Sequence, residues 1–471
     1  MIVSEIPENM VTKRQRLGMM TAVCMGAFMS HFTAGIVNVS LPQFMNYFQT
    51  DYGKIGWITI GYLLVITALL PVMGKLGDRY GFRLIHNLGY VIFTIGSILV
   101  AFSPNLPILL ILRMVQAMGA AMFQSTNIAL ITIHLQKEQR GRALGIVSTA
   151  VALGGMIGPI AGGLIAEWFS WRWLFLIHVP VALVATLLAY RYIPVRLHER
   201  KSETFDNAGA VLFIVFISLV IVGISNGSKW GWLSAEMISI FTGSFIVLSV
   251  LLLWELRQSI PFLPLKALRI PAVSYGLLIS CASFMFSNTI LVIIPFYLTG
   301  TATLPPSTIG YVMAAYPLTL AFMGPIAGYL SDRYGSNRLM FLGLCSMGSG
   351  FVIFSCYLGQ LSIGWIAAVL AIIGLGMGLI ASPNNSFIMQ RTPREQVGSI
   401  GGMIALTRNA GMVFGSALGL GVMNGGIEQD SQVDTFRSAF EINILVCIGV
   451  MVLLGYGVYL ENRQKKNNKK V

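Results

Sequence analysis

The sequence predicts an all-α integral membrane protein with 14 transmembrane helices arranged 6 + 2 + 6, and three observations carry that expectation. The chain is 55% hydrophobic and only 10% charged, with a mean hydropathy of +0.75, and a soluble core of that composition leaves too little polar surface. Apolar stretches of about 20 residues, the length that crosses a bilayer as a helix, recur along the whole chain. A polar link between two of them also returns, with the same spacing, 254 residues later.

In order, the spans are expected at 17–40, 54–74, 84–103, 107–132, 143–166, 173–193, 209–226, 235–254, 272–299, 308–329, 338–357, 363–386, 398–422 and 439–460. The first follows Lys13, Arg14 and Arg16, and no small-residue cleavage site comes after it. It therefore reads as a retained span rather than a removed signal. Positive charge fixes an orientation. With the N-terminus inside, the cytoplasmic segments hold 25 of the 31 Lys and Arg residues, while Lys54, Arg172, Lys229 and Arg437 lie outside. Arg113 and Arg408 fall within spans. So strong an inside bias places both termini in the cytoplasm, in the inner (cytoplasmic) membrane of a cell, and makes the basic tail 461–471 a neighbour of anionic lipid rather than nucleic acid.

The recurring link reads Gly74-Lys-Leu-Gly-Asp-Arg-Tyr-Gly-Phe-Arg83, and its near copy reads Gly328-Tyr-Leu-Ser-Asp-Arg-Tyr-Gly-Ser-Asn-Arg338. Gly74, Gly81, Gly328 and Gly335 allow close approach and tight turning. Arg79 and Arg333 hold the link at the membrane surface, and Asp78 and Asp332 supply a carboxylate for an arginine or a helix N-terminus. An ordinary charged hairpin is the alternative for one copy alone. Six spans of about 30 residues separate equivalent points by only about 180–190 residues, so the excess over that spacing is two further helices. The expected division is a six-helix bundle at 1–195, linkers and two inserted helices at 196–271, a second six-helix bundle at 272–460, and the tail.

Span five contains Gly154-Gly-Met-Ile-Gly158-Pro159-Ile-Ala-Gly162-Gly163. Gly154, Gly158 and Gly162 recur at i, i+4 and i+8, leaving one helix face as bare backbone, and Pro159 removes a donor and kinks the helix. Spacing alone is compatible with packing and nothing more. Further strings are Phe32-Thr-Ala-Gly-Ile-Val-Asn-Val-Ser-Leu-Pro42, Arg113-Met-Val-Gln-Ala-Met-Gly-Ala-Ala121, Arg140-Gly-Arg-Ala-Leu-Gly145 and Trp171-Arg-Trp-Leu-Phe-Leu-Ile-His-Val-Pro180. With the doubled link and the span count, these strings resemble the major facilitator superfamily, and within it the fourteen-helix drug:proton antiporters of multidrug efflux. The resemblance runs from about residue 17 to 460. It implies the major facilitator fold, alternating access around a central cavity, the doubled link as a cytoplasmic latch, and the glycine-proline string as the signature of exporters. It also implies amphipathic or cationic drug-like substrates, protons as the coupling ion, and a role for Arg113 in coupling. An arginine bonded to carbonyls at a helix crossing is the structural alternative for Arg113.

In one respect the chain departs from that pattern. Relatives carry an Asp in span one where this chain has Thr33, five residues before Asn38, and all 18 acidic residues lie in loops or near helix ends. Inside the spans the side chains that titrate near neutrality are histidines. His31 and His178 are thus the coupling candidates, with Arg113 as the expected charge partner of His31. Asn38, Gln116, Asn288, Asn384 and Asn385 are cavity candidates, because a buried amide needs another helix, water or substrate as partner.

Other classes of function find little support. The five cysteines sit in apolar segments without a CxxC, which excludes a disulfide framework and a metal site. No phosphate loop is present to use ATP. A membrane enzyme or channel should cluster His, Asp or Glu within its spans, and these spans do not. The expectation is a monomeric transporter, not an enzyme, with no cofactor. A lipid or glycolipid exporter and a nutrient symporter are the rivals on the same fold.

Overall fold

The computed structural model describes residues 12–135, 137–194, 206–258, 263, 265–392, 397–425 and 432–468, and every regular element among them is a helix. Fourteen long helices follow one another: α1 (Lys13–Phe48), α2 (Tyr52–Tyr80), α3 (Phe82–Ala101), α4 (Leu106–His134), α5 (Lys137–Trp168), α6 (Trp173–Tyr192), α7 (Asn207–Trp230), α8 (Ala235–Arg257), α9 (Pro271–Gly300), α10 (Pro306–Tyr334), α11 (Ser336–Tyr357), α12 (Ile363–Arg391), α13 (Val397–Gly425) and α14 (Gln432–Asn468). Thirteen are long and apolar enough to cross a membrane. The fourteenth, α13, is 29 residues long and is interrupted by Arg408 and Asn409. Several helices outrun the expected spans. α1 continues through Pro42 to Phe48, and α14 runs on into the basic tail as far as Asn468. α6 is broken at Ile177 into Trp173–Leu176 and His178–Tyr192.

Odd-numbered helices run from the face where α1 begins, the proximal face, to the opposite, distal face, and even-numbered helices run back. Distal starts are capped by local side chains. Asp51 accepts from the Lys54 amide at 2.8 Å, Asn105 from Ile108 at 3.1 Å, and Ser234 from Met237 at 3.2 Å. Each cap satisfies an otherwise orphaned amide and contributes about 1 kcal/mol.

At the proximal face the doubled link is a single residue. Gly81 lies between α2 and α3 at φ +97°, and Gly335 between α10 and α11 at φ +87°. A side chain is strained at that φ, which is why both copies carry glycine there. Arg79 stacks on Tyr80 at 5.4 Å and Arg333 on Tyr334 at 5.5 Å, so the copies match in detail.

Packing repeats as well. α1 lies on α5, and α4 on α2 and α3; likewise α9 lies on α13, and α12 on α10 and α11. The inserted α7 and α8 pack on each other, and α7 also on α13 and α2. The two sets of six meet through α5 with α10, α13 with α2, and α1 with α9. The first two pairings are equivalent under exchange of the sets. Residues 195–205, 259–262 and 264, in the expected linkers, lie outside the described residues, as do the side chains of Arg140 and Arg142.

Candidate functional site

The glycine string of α5 serves two different neighbours. Gly154, Gly158 and Gly162 press on the backbone of α1: a Cβ on Gly158 would fall 2.9 Å from the Phe32 carbonyl oxygen, and one on Gly162 2.8 Å from that of Ile36. Gly155, Pro159 and Gly163 turn instead to α10 in the other set of helices. A Cβ on Gly310 would meet the Pro159 carbonyl oxygen at 2.5 Å and Gly163 Cα at 3.3 Å. Beyond them, the Glu167 carboxylate accepts from the Ser307 amide at 2.9 Å, capping the N-terminus of α10 from across the interface. On the equivalent pair α13–α2, Gly56 abuts Leu420 and Gly53 abuts Asn424, while Tyr52 meets Phe296 of α9 edge-on at 5.0 Å. These tight contacts all lie toward the distal face. At the proximal end of α2, a Cβ on Gly74 would meet nothing within 4 Å. Gly401 of α13 and Ile128 of α4 stand 3.7 Å apart by the same measure.

Arg113 is 1% exposed, and although its Nε has no acceptor among the described residues, the rest of its guanidinium has partners. Its guanidinium donates to Gln116 Oε1, and Gln116 Nε2 donates to Ser97 Oγ at 2.6 Å. The guanidinium carbon lies 3.9 Å from the centre of the Tyr62 ring and 5.4 Å from that of Phe175. Such an aromatic cage stabilises a desolvated cation by about 2 kcal/mol or more. His178 borders the same cluster: its Nδ1 lies 3.2 Å from the Phe175 carbonyl oxygen, and its ring lies 5.3 Å from that of Phe32, tilted by 60°. Arg113 is the cation whose field acts on His178.

The pairing expected between His31 and Arg113 is not the one the structure makes. His31 is half-buried at mid-helix in α1, its Nδ1 lies 3.3 Å from the Ala27 carbonyl oxygen, and the cation that acts on it is Arg408 of α13. The partners of Arg113 are Gln116, Tyr62 and Phe175, and His31 is not among them. Among the described residues Arg408 has no hydrogen bond, ion pair or ring partner, and its Nε is enclosed without an acceptor.

The amide candidates mostly bind neighbouring helices. Asn38 Oδ1 accepts from Thr59 Oγ1 at 3.0 Å, Asn288 Nδ2 donates to the Met412 carbonyl at 2.6 Å, and Asn384 Nδ2 donates to the Gly276 carbonyl at 2.9 Å. Asn385, one residue further on, is exposed. Thr33 is fully buried, and its hydroxyl lacks a partner among the described residues. Sequence reasoning missed Tyr62 and Phe175 as the cage, and Glu167 and Ser307 as a cross-interface cap. Of these, Glu167 left a trace, as a carboxylate at the distal end of the proline-kinked helix.

Residues 23–286 and 276–471 each match the profile of the Major Facilitator Superfamily, once for each set of helices. The chain belongs to that superfamily. It is 30% identical to the riboflavin transporter RibZ of Clostridioides difficile, over 86% of this chain and 87% of that protein. It is also 30% identical to the uncharacterized transporter YebQ of Escherichia coli, over 92% and 95% of the two chains. The multidrug resistance protein Stp of Mycobacterium tuberculosis is 26% identical over 86% of this chain and 75% of its own length. The protein is thus a multi-pass membrane protein with the all-α major facilitator fold, in a superfamily of transporters.

Proposed function

We propose that the protein is a secondary active transporter that exports amphipathic, drug-like small molecules across the cytoplasmic membrane by alternating access. The moving parts are the six-helix halves 1–195 and 272–460, with 196–271 as the inserted pair and its links, and with 461–471 at the cytoplasmic surface. The observation that carries this reading is the placement of the tight cross-half contacts. They join equivalent helix pairs, α5–α10 and α13–α2, and they lie toward one face. Two rigid halves that touch through symmetric pairs at one end can rock to touch at the other. The proximal face is cytoplasmic in this scheme, in keeping with 25 of 31 Lys and Arg residues assigned to that side. The doubled link, with Asp78, Arg79, Asp332 and Arg333, then latches the proximal side when the distal side opens. In this scheme the protein acts as a monomer and exchanges protons through His31.

The test is expression in an efflux-deficient bacterium with a panel of amphipathic drugs, followed by flux in liposomes under an imposed pH gradient. Raised resistance to at least one compound, with gradient-driven export that His31→Ala abolishes, is the expected result. Unchanged susceptibility across the panel refutes the export reading, and full gradient-driven export in His31→Ala removes His31 from coupling. Transport of a flavin nutrient is the second reading, favoured by the 30% identity to RibZ, and labelled riboflavin flux decides it.

A further inference from the structure

We propose that Arg408 is the anion-binding group of the central cavity, so that the transported molecule carries a negative charge on an apolar body. This rests on the export reading and narrows it, replacing cationic substrates by anionic ones.

Four observations converge. The first is where Arg408 points. Gly401 lies two turns earlier on the same side of α13 and meets Ile128 of α4 and Met389 of α12 at the same distance, so this side borders the first half. The field of Arg408 on His31 of α1 agrees with that direction. The second is its lack of company. Among the described residues no acceptor, carboxylate or ring meets its guanidinium. A cation within a span normally has such a partner, as Arg113 does in Gln116 and Tyr62.

The third observation is that packing does not require it. α13 presses Gly411, Gly415 and Gly419 onto α9 as α5 presses Gly154, Gly158 and Gly162 onto α1. Three residues before Gly154 the chain has Val151, and three before Gly411 it has Arg408. The same seam is therefore made with a valine in the equivalent place. The fourth is the charge balance. Among the described residues every carboxylate lies in a loop or toward a helix end, so none of them stands at mid-depth to neutralise Arg408 or to attract a cation. A cationic substrate would meet a like charge there, whereas a carboxylate, sulfonate or phosphate would gain a charge-assisted, fork-shaped partner. His31 Nε2, enclosed without a partner among the described residues, is a second polar group in the same field.

An anionic group on an apolar body is found on free organic anions and on anionic lipids, and the test separates them. The full-length protein is reconstituted in liposomes and offered carboxyfluorescein, fluorophore-labelled phosphatidylglycerol, or ethidium. Wild type is expected to move an anionic probe in preference to ethidium: carboxyfluorescein if the substrate is a free anion, the labelled lipid if it is a headgroup. Arg408→Gln should lower that flux at least tenfold and invert the preference toward ethidium. Arg408→Lys should keep flux with a KM raised three- to tenfold, because an ammonium keeps the charge and loses the fork. Where Arg408→Gln does not accumulate, an unchanged KM in Arg408→Lys overturns the proposal. Movement of ethidium and of neither anion also overturns it and leaves the export reading standing. Undiminished anion flux in well-folded Arg408→Gln has the same consequence. Movement of none of the three probes removes both.

Discussion

α5 and α13 occupy equivalent places in the two halves, and they differ at one turn. Each presents three glycines four residues apart to the first helix of its own half, and each reaches across to the other half near the distal face. On α5 the turn before the seam carries Val151 and Ala152; on α13 it carries Arg408 and Asn409. The seam needs small residues because backbone meets backbone there, and it needs them equally on both sides. The polar pair belongs to only one side. What two copies share is therefore the mechanics of the fold, and what one copy adds is open to function.

The largest effect should come from filling either seam. A Cβ on Gly154 collides with the Phe28 carbonyl and one on Gly411 with the Cys281 carbonyl, neither of which can move without its helix. Gly154→Leu and Gly411→Leu should each cost more than about 3 kcal/mol and prevent accumulation in the membrane, as read by yield of monodisperse protein. A large difference between them would break the equivalence of the two helices. Gly163→Leu should behave differently, because Gly163 faces α10 in the other half. Overpacking of about 1–3 kcal/mol at that contact should push the halves apart, seen as faster hydrogen exchange at residues 304–312 in protein that still folds. Unaltered exchange there would mean that the distal contact is not part of the closed state.

Gly81→Ala and Gly335→Ala should each cost about 1–2 kcal/mol through backbone strain alone, measurable as matched losses of thermal stability in detergent. Unequal losses would show that one link makes contacts the other lacks. The smallest effect on stability is expected of Arg408→Val, which copies α5 into α13. Removing a cation without a partner should change stability by less than about 1 kcal/mol. Arg113→Ala, which strips Gln116 and Tyr62 of their partner, should cost about 2–4 kcal/mol by the same measurement. Equal losses for the two arginines would end the distinction between a furnished and an unfurnished charge.

The helical architecture was legible because a bilayer enforces it: apolar length and the inside bias of Lys and Arg are properties of single segments. The doubled link and the glycine face were legible for the same reason, since Gly81, Gly335 and the Gly154–Gly158–Gly162 spacing are local. The cross-half seal was not, because Gly163 differs from Gly162 only in which neighbour it meets. The cage around Arg113 was hidden for a similar reason. Tyr62 and Phe175 lie on two other helices, and an aromatic residue in a span gives no sign of what lies over its ring. Asn38, Asn288 and Asn384 were recognisable as groups in need of partners, but not as groups bonded to Thr59, Met412 and Gly276, with Asn384 Oδ1 still without a partner among the described residues.

The placement of the described carboxylates near a rim has an electrical consequence. A carrier whose mid-depth charge is positive travels uncompensated when empty and balanced when it holds a monoanion. Each export cycle then moves one negative charge outward, plus one positive charge inward for any proton taken in exchange. An inside-negative potential of 100 mV alone would sustain roughly a fifty-fold gradient of such a monoanion. On the anion proposal, a carrier of this kind does osmotic work with voltage as the driving force.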